Sequence, residues 1–337
     1  MQVDLLAGRE ACMPDLVVHN AMGDRVLGKL PEDIRKEIDS DAFHVGVLGP
    51  DPYFFYRFFA PRFRNGVDER GAIMHHKKCG RFLMELGRRC CAVPDSEDPR
   101  HKREAFSYFV GFLCHYALDS TVHPYINTIA ARRVGMHTAV ERKLDMIELR
   151  RQGKDRNDIL RLLVPFPVIP EIHDAMKEVY GWDDNCFITG YRHMKYFLWL
   201  VKDSFSWLVK ITGSIPAKPV VITPEEVQKI AAGDVECDYK RKIVKGPPLA
   251  IPEHGIPKLF ASIVGKKNYG RLAAFPYTNH FCDNIEMPDF DRLESISEQF
   301  AVKLVTAAYD YRAGRITEEE LAAVIGNRCY SGGEAEE

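Results

Sequence analysis

Nowhere does the chain offer the roughly 18 uninterrupted apolar residues that a membrane-spanning helix requires. The most apolar candidate, FITGYRHMKYFLWLVKDSFSWLVKI, is broken by Arg192, His193, Lys195, Lys202 and Asp203. The opening residues, MQVDLLAGREACMPDLVVHN, have no basic segment leading into an apolar run. No signal peptide is expected, and the chain reads as cytoplasmic. The nine cysteines show no CxxC spacing, and nine is odd, which argues for free thiols rather than a disulfide framework. Neither sign of charge predominates: 46 Lys and Arg stand against 48 Asp and Glu. That balance excludes a broad basic face and, with it, specific nucleic-acid binding. Strand signals are few. The run VPFPVIPE at 164–171 is punctuated by prolines and reads as an extended connector.

What is present is helical periodicity. Apolar positions recur at helical spacing over 71–91, 101–120, 136–151, 157–163, 172–180, 186–211, 224–232 and 288–313. Thr223-Pro224-Glu225-Glu226 and Thr317-Glu318-Glu319-Glu320 have the composition of helix starts. Residues 233–288 hold many Pro and Gly and are expected to wrap the helical body as long loops. SGGEAEE, 331–337, is expected to be disordered. The reading is an all-α fold, with one multi-helix domain over residues 1–330.

The chemistry concentrates in short motifs. HYALDSTVHPY places His115, Asp119 and His123 at intervals of four within an apolar helix, which Pro124 is expected to end. Residues four apart share a helix face, so a histidine and a carboxylate at this spacing can converge on one divalent metal. The competing reading is a turn with incidental polar residues. GMHTAVERKLD repeats the spacing with His137 and Glu141, where Glu141 could equally be one charge on a solvated face. VLGPDPYFF fixes Asp51 in a Gly-Pro-Asp-Pro turn. AIMHHKKC offers His75 and His76, and DLVVHNAMGDRVL sets His19 in an apolar run.

The order of these motifs resembles that of the zinc-dependent phospholipase C family and its relatives, the S1/P1-type nucleases. The resemblance covers residues 14–150. It implies an all-α fold and a hydrolase that cleaves phosphodiesters through two zinc ions, with a third site. Asp51, His75, His115 and Asp119 would surround one ion, and His123, His137 and Glu141 a second. His19 would reach a third through Asp119. His75 is preferred to His76 because it follows Met74, as in the family's Met-His pair. Asp51 is also the family's candidate general base. A His and carboxylate set suits Zn²⁺ and admits Mn²⁺ or Fe²⁺.

Two departures stand out. Secreted members have a longer gap between the Asp and the second His than the DSTVH seen here. They also hold the third metal with a processed N-terminal tryptophan, whereas this chain has no Trp before residue 182. The third site is expected to be incomplete, or closed by another group such as Asp15 or His44.

The implied partner is a phosphodiester, with phospholipid and transient membrane-surface contact both open to it. The run PYFFYRFF (52–59) suits either a pocket for an acyl or choline group or, more commonly, the core. Two rivals remain. One is an HD-type nucleotide phosphohydrolase built on His173-Asp174, and the other is a non-catalytic metal-binding helical scaffold.

Overall fold

The computed structural model describes residues 16–60, 63–94, 98–129, 136–154, 164–167, 169–204, 223–232 and 289–337. The helices expected over 157–163 and 205–211, the loops over 233–288, and Asp15 lie outside these residues. The described helices are α1 (Leu16–Lys29), α2 (Glu32–Lys36), α3 (Ser40–Gly46), α4 (Glu69–His76), α5 (Cys79–Cys91), α6 (Pro99–Ile129) and α7 (Met136–Arg151). They continue as α8 (Pro170–Tyr180), α9 (Cys186–Ser204), α10 (Pro224–Ala232), α11 (Phe290–Arg312) and α12 (Glu318–Ile325). A short 3-10 helix, Asp51–Phe55, follows α3. Among the described residues the only β pairings are two isolated bridges, so the all-α reading holds. No described helix is long and apolar enough to cross a membrane.

The fold is organised around α6. Every residue from Ala105 to Ile126 is buried, polar ones included, and a helix buried on all sides must be a core element. It packs chiefly against α3 and α11. The α3 contact is close because glycines meet there. A Cβ on Gly46 would lie 2.1 Å from the Tyr108 carbonyl oxygen, and one on Gly111 would lie 2.2 Å from that of Phe43. The α10 and α12 starts are capping boxes. Thr317 and Glu320 exchange side-chain to backbone bonds, as do Thr223 and Glu226.

Three sequence expectations are corrected. Pro124 does not end α6, which runs five residues further to Ile129. Pro124 forfeits one intrahelical hydrogen bond, a cost of roughly 3 kcal/mol, but the turn before it and Tyr125, Ile126 and Ile129 after it are buried, and their packing outweighs it. The single helix expected over 71–91 is two. Lys77 is extended and Lys78 adopts φ +54°, separating α4 from α5. Residues 331–337 are not disordered. They fold back beside α4, where the Glu336 N–H donates to the His76 carbonyl and the Lys78 N–H to the Glu336 carbonyl, both bonds closing the break at residues 77–78.

Helix α1 is locked by α7. Asp145 accepts hydrogen bonds from the N–H groups of Val17 and Val18, each 3.1 Å, satisfying donors a helix N-terminus leaves open. At the other end of α1, Arg25 reaches Glu148 of α7 and both Glu294 and Glu298 of α11, and Lys29 also pairs with Glu298. All three glutamates are buried. Burial pushes the Glu294 carboxyl up to about 7, against the pull of Arg25. Replacing Arg25 with Met leaves Glu298 to Lys29, and Glu148 and Glu294 to the more distant Arg151 at 3.7 and 3.9 Å, and should cost about 3 kcal/mol of stability. Chemical denaturation of Arg25→Met measures it, and an unchanged midpoint would show the network to be neutral.

Candidate metal centre

The polar residues of the sequence motifs converge in the interior. His19, Asp51, His75, His115, Asp119, His123, His137 and Glu141 are all buried, none more than 7% exposed. They come from α1, the 3-10 helix, α4, α6 and α7. The central group is the Asp119 carboxylate. His19 Nε2 lies 3.1 Å from its Oδ1. His115 Nε2, His75 Nε2 and His123 Nδ1 lie 3.1, 3.3 and 3.6 Å from its Oδ2. His75 Nε2 also faces Asp51 Oδ1 at 3.4 Å. One turn along, Glu141 Oε1 stands 3.4 Å from His123 Nε2 and 2.8 Å from His137 Nε2.

Local sequence fixes each ligand's direction. Continuation of α6 through Pro124 keeps His115, Asp119 and His123 on one face, so the short DSTVH gap still delivers His123 to Glu141. Gly49, at φ +53°, allows the turn before Asp51 to pass against His115. A Cβ there would lie 2.2 Å from the imidazole Cδ2. Three rings are aimed by their Nδ1 atoms. His115 Nδ1 bonds to the Val47 carbonyl at 3.1 Å, and His75 Nδ1 to the Gly71 carbonyl at 2.7 Å. His137 Nδ1 bonds to Asn127 Oδ1 at 2.7 Å. A carbonyl only accepts, so Nδ1 carries a proton, and in the neutral ring Nε2 presents its lone pair to the cluster. Asn127 had no signal in the sequence beyond its place on α6.

The neighbours expected to compete do not. His76 turns away, with Nδ1 on the Ala72 carbonyl and Nε2 3.1 Å from Ser331 Oγ, and burial lowers its pKa to about 4. His44 is engaged by Asp24 and Ser40. His173 and Asp174 lie on the outer face of α8, where His173 pairs with Asp183. Glu141 is 2% exposed and so is not a charge on a solvated face. In the PYFFYRFF run, Tyr53 to Tyr56 are core, whereas Phe59 is exposed.

The segment after α12, 326–337, was invisible as part of this site. The Tyr330 N–H donates to the His75 carbonyl, and the Cys329 thiol approaches the same oxygen at 3.3 Å. The Tyr330 ring packs 5.0 Å from that of His75 and 5.6 Å from that of His115. It thus caps the last turn of α4, whose carbonyls have no partner within the helix, and walls the cluster.

Burial opposes ionisation of Asp119, yet the charges of His115, His123 and His19 hold its carboxyl well below the usual range. Burial likewise opposes ionisation of Glu141, and His137 and His123 lower it nonetheless. Burial alone would depress His75, but the facing carboxylates of Asp119 and Asp51 lift it to about 10. Without metal, then, a proton occupies this ring.

Two buried atoms expose what that arrangement leaves unfinished. Glu141 Oε2 has no hydrogen-bond partner among the described residues, and His115 Nε2 meets the Asp119 carboxylate at 3.1 Å without the alignment of a hydrogen bond. A stranded buried polar atom costs about 1–3 kcal/mol, which a cation would relieve. Three groups of side chains present ligand atoms close enough to share an ion: His19, His115 and Asp119; Asp51, His75 and His115; and His123, His137 and Glu141. The donors are nitrogen and oxygen only, a set that zinc accepts.

The sequence profile described as zinc dependent phospholipase C matches residues 18–198. The chain belongs to this family. The matched span contains all eight residues of the cluster and extends beyond the 14–150 in which the motifs are recognisable. No individual curated protein and no solved structure matches the chain. Membership in the zinc-dependent phospholipase C family makes the protein a hydrolase, and the buried clusters fit zinc.

If His75 Nε2 is a zinc ligand, the metal must displace the proton held there, and affinity should rise with pH. In metal-stripped protein the raised pKa works in the opposite sense. The stabilisation is complete below pH 6.5, the unfolded value, and is lost as pH climbs through about 10. Each unit of that rise is worth about 1.4 kcal/mol. Melting curves of stripped and zinc-loaded protein between pH 6.5 and 10 should therefore diverge. Parallel curves would show that His75 does not hold the proton.

Proposed function

We propose that the protein hydrolyses phosphodiesters, phospholipids foremost, at a multinuclear zinc site formed by the eight clustered residues. The observation that carries this reading is the placement of a single carboxylate, Asp119, against four histidines in a buried cluster with unpartnered ligand atoms. Asp51, His75, His115 and Asp119 would hold one ion, and His123, His137 and Glu141 a second. Zinc, when bound, supplies positive charge against phosphate oxygens and acidifies water, both of which in-line attack on phosphorus requires. Asp51 would accept the proton of the attacking water at a carboxylate oxygen. Asp119 fixes the histidines relative to one another. The Nδ1 bonds of His75, His115 and His137 hold their rings in place, so the site is preorganised.

The third site, at His19, should be the weakest. His115 Nε2 belongs to two of the three groups, and one lone pair serves one ion. If His115 serves the Asp51 group, His19 and Asp119 Oδ1 remain for the third. A phosphate oxygen would complete that set. Elemental analysis should find two zinc ions per chain after purification without chelator. Titration of stripped protein should reveal a third tight site only with inorganic phosphate present. Three equally tight sites without phosphate would contradict this ranking. Fewer than one metal per chain, or no hydrolysis of a water-soluble phosphodiester by the zinc-loaded protein, would overturn the reading itself and favour a non-catalytic scaffold.

A further inference from the structure

Three large apolar side chains are exposed among the described residues, and they stand on the segment after the 3-10 helix and on α9, which packs against that helix. Phe59 is 60% exposed, Phe63 63% and Tyr196 52%. Scattered exposed apolar residues are ordinary, but a contiguous group marks an interaction surface. Phe59 and Phe63 stand on the loop that leaves the 3-10 helix of Asp51, and Tyr196 stands on α9. Phe58 joins them, 5.3 Å from the Phe59 ring and 6.4 Å from that of Tyr196. The Phe59 ring also packs 5.0 Å from His193.

The loop presents these rings in a fixed arrangement. The Arg57 N–H donates to His193 Nδ1 at 2.9 Å, and its guanidinium to the Phe63 carbonyl at 2.8 Å. Arg64 donates to the carbonyls of Arg57 and Phe58. Two arginines are thus used to tie the backbone so that phenylalanines point outward, an arrangement with no benefit to the core.

Among the described residues, the unpaired charges on these two segments are positive. Arg57, Arg192 and Lys195 have no ion-pair partner among the described residues, whereas Arg64 is answered by Asp68 at 3.0 Å. Arg192 and Lys195 are exposed and share a turn of α9 with Tyr196. Aromatic rings beside unanswered cations complement the headgroup layer of an anionic bilayer, where such rings partition and each cation gains free energy. We propose that Phe59, Phe63 and Tyr196, flanked by Arg57, Arg192 and Lys195, dock the protein on the surface of anionic phospholipid membranes. This deepens the reading as a phospholipid hydrolase and rests on it for its purpose, because the docking loop begins where the helix of Asp51 ends.

The test is co-sedimentation of the zinc-loaded full chain with vesicles of phosphatidylcholine alone, or of phosphatidylcholine with phosphatidylserine. Hydrolysis of a water-soluble phosphodiester is measured alongside. Binding should require phosphatidylserine and weaken with salt. A cation near such a surface contributes roughly a fivefold factor in binding, so Arg192→Glu with Lys195→Glu should weaken it at least about twentyfold. Phe59→Ser with Phe63→Ser should weaken it comparably. Both variants change exposed positions and should keep full activity on the soluble substrate. Wild-type protein that ignores phosphatidylserine vesicles overturns the proposal, whatever its activity. So does equal binding by the variants, or a wild-type dimer that the phenylalanine substitutions dissolve without any vesicle binding. Patch-dependent binding by a protein that cleaves no phosphodiester sustains the docking surface and removes only the catalytic reading.

Discussion

His115→Ala should empty the metal centre rather than merely weaken it. The imidazole is fully buried, its Nδ1 is tied to the Val47 carbonyl, and its Nε2 belongs to two of the three candidate ligand groups. Removing it also leaves a cavity against Gly49, whose backbone was bent to admit the ring. Ligand binding to the folded state stabilises by about 4 kcal/mol when the metal is a thousandfold above its dissociation constant. Loss of that contribution, with the cavity added, should lower the melting temperature by roughly 10 °C. Hydrolysis should fall more than a hundredfold, since even changes to residues that only support a ligand cost about 10–100-fold. The measurements are zinc per chain, melting temperature and rate. A His115→Ala protein with unchanged zinc and melting temperature would reduce the motif to ordinary helix. Asp119→Asn should reproduce the loss, because four histidines lose the charge that holds them.

A chain ending at Gly326 should lose its metal without losing any metal-binding side chain. The removed residues, 327–337, include Tyr330 and Cys329, both essentially buried, and the bonds that hold the His75 and His76 carbonyls. Deleting a buried aromatic costs about 3–5 kcal/mol, and Tyr330→Ala alone should show that loss. Glu336 acts chiefly through its backbone, and its carboxylate adds only a partly exposed pair with Lys77, so Glu336→Ala should change little. If the shortened chain keeps its zinc and its melting temperature, the segment is an ornament rather than a wall. If Tyr330→Ala matches wild type while the truncation does not, the backbone caps on α4 carry the effect.

The difference between these two predictions reflects what a sequence makes visible. His115, Asp119 and His123 were recognisable because helical geometry converts a spacing of four into proximity, and His137 with Glu141 follows the same rule. Asp51 was legible from the prolines that flank it. The tail was not legible. Its contacts with α4 span 255 positions and run largely through backbone groups, which every residue carries. Composition argued for disorder in SGGEAEE because glycine and glutamate rarely bury themselves, but two glycines at positive φ let this segment turn back on α4. Pro124 misled for a related reason. The local penalty was read correctly, whereas the packing that offsets it comes from distant helices. His19 was legible as a candidate ligand but not its support, since the Asp145 cap on α1 joins residues 127 and 128 positions apart.

The closure of the metal centre by Tyr330 also bears on how the molecule is made. Every candidate ligand has been synthesised by Glu141, yet the residue that walls them is added roughly 190 positions later. At about 5–20 residues per second, that interval lasts on the order of 10–40 s. During it the histidines and carboxylates exist without the segment that pins His75. A nascent chain therefore carries an unfinished metal trap, and hydrolytic competence should appear only as the final stretch docks. If the eight clustered residues are the ligands, a product stalled before residue 327 would carry all of them without the wall that Tyr330 supplies, and the order of synthesis would act as a safeguard.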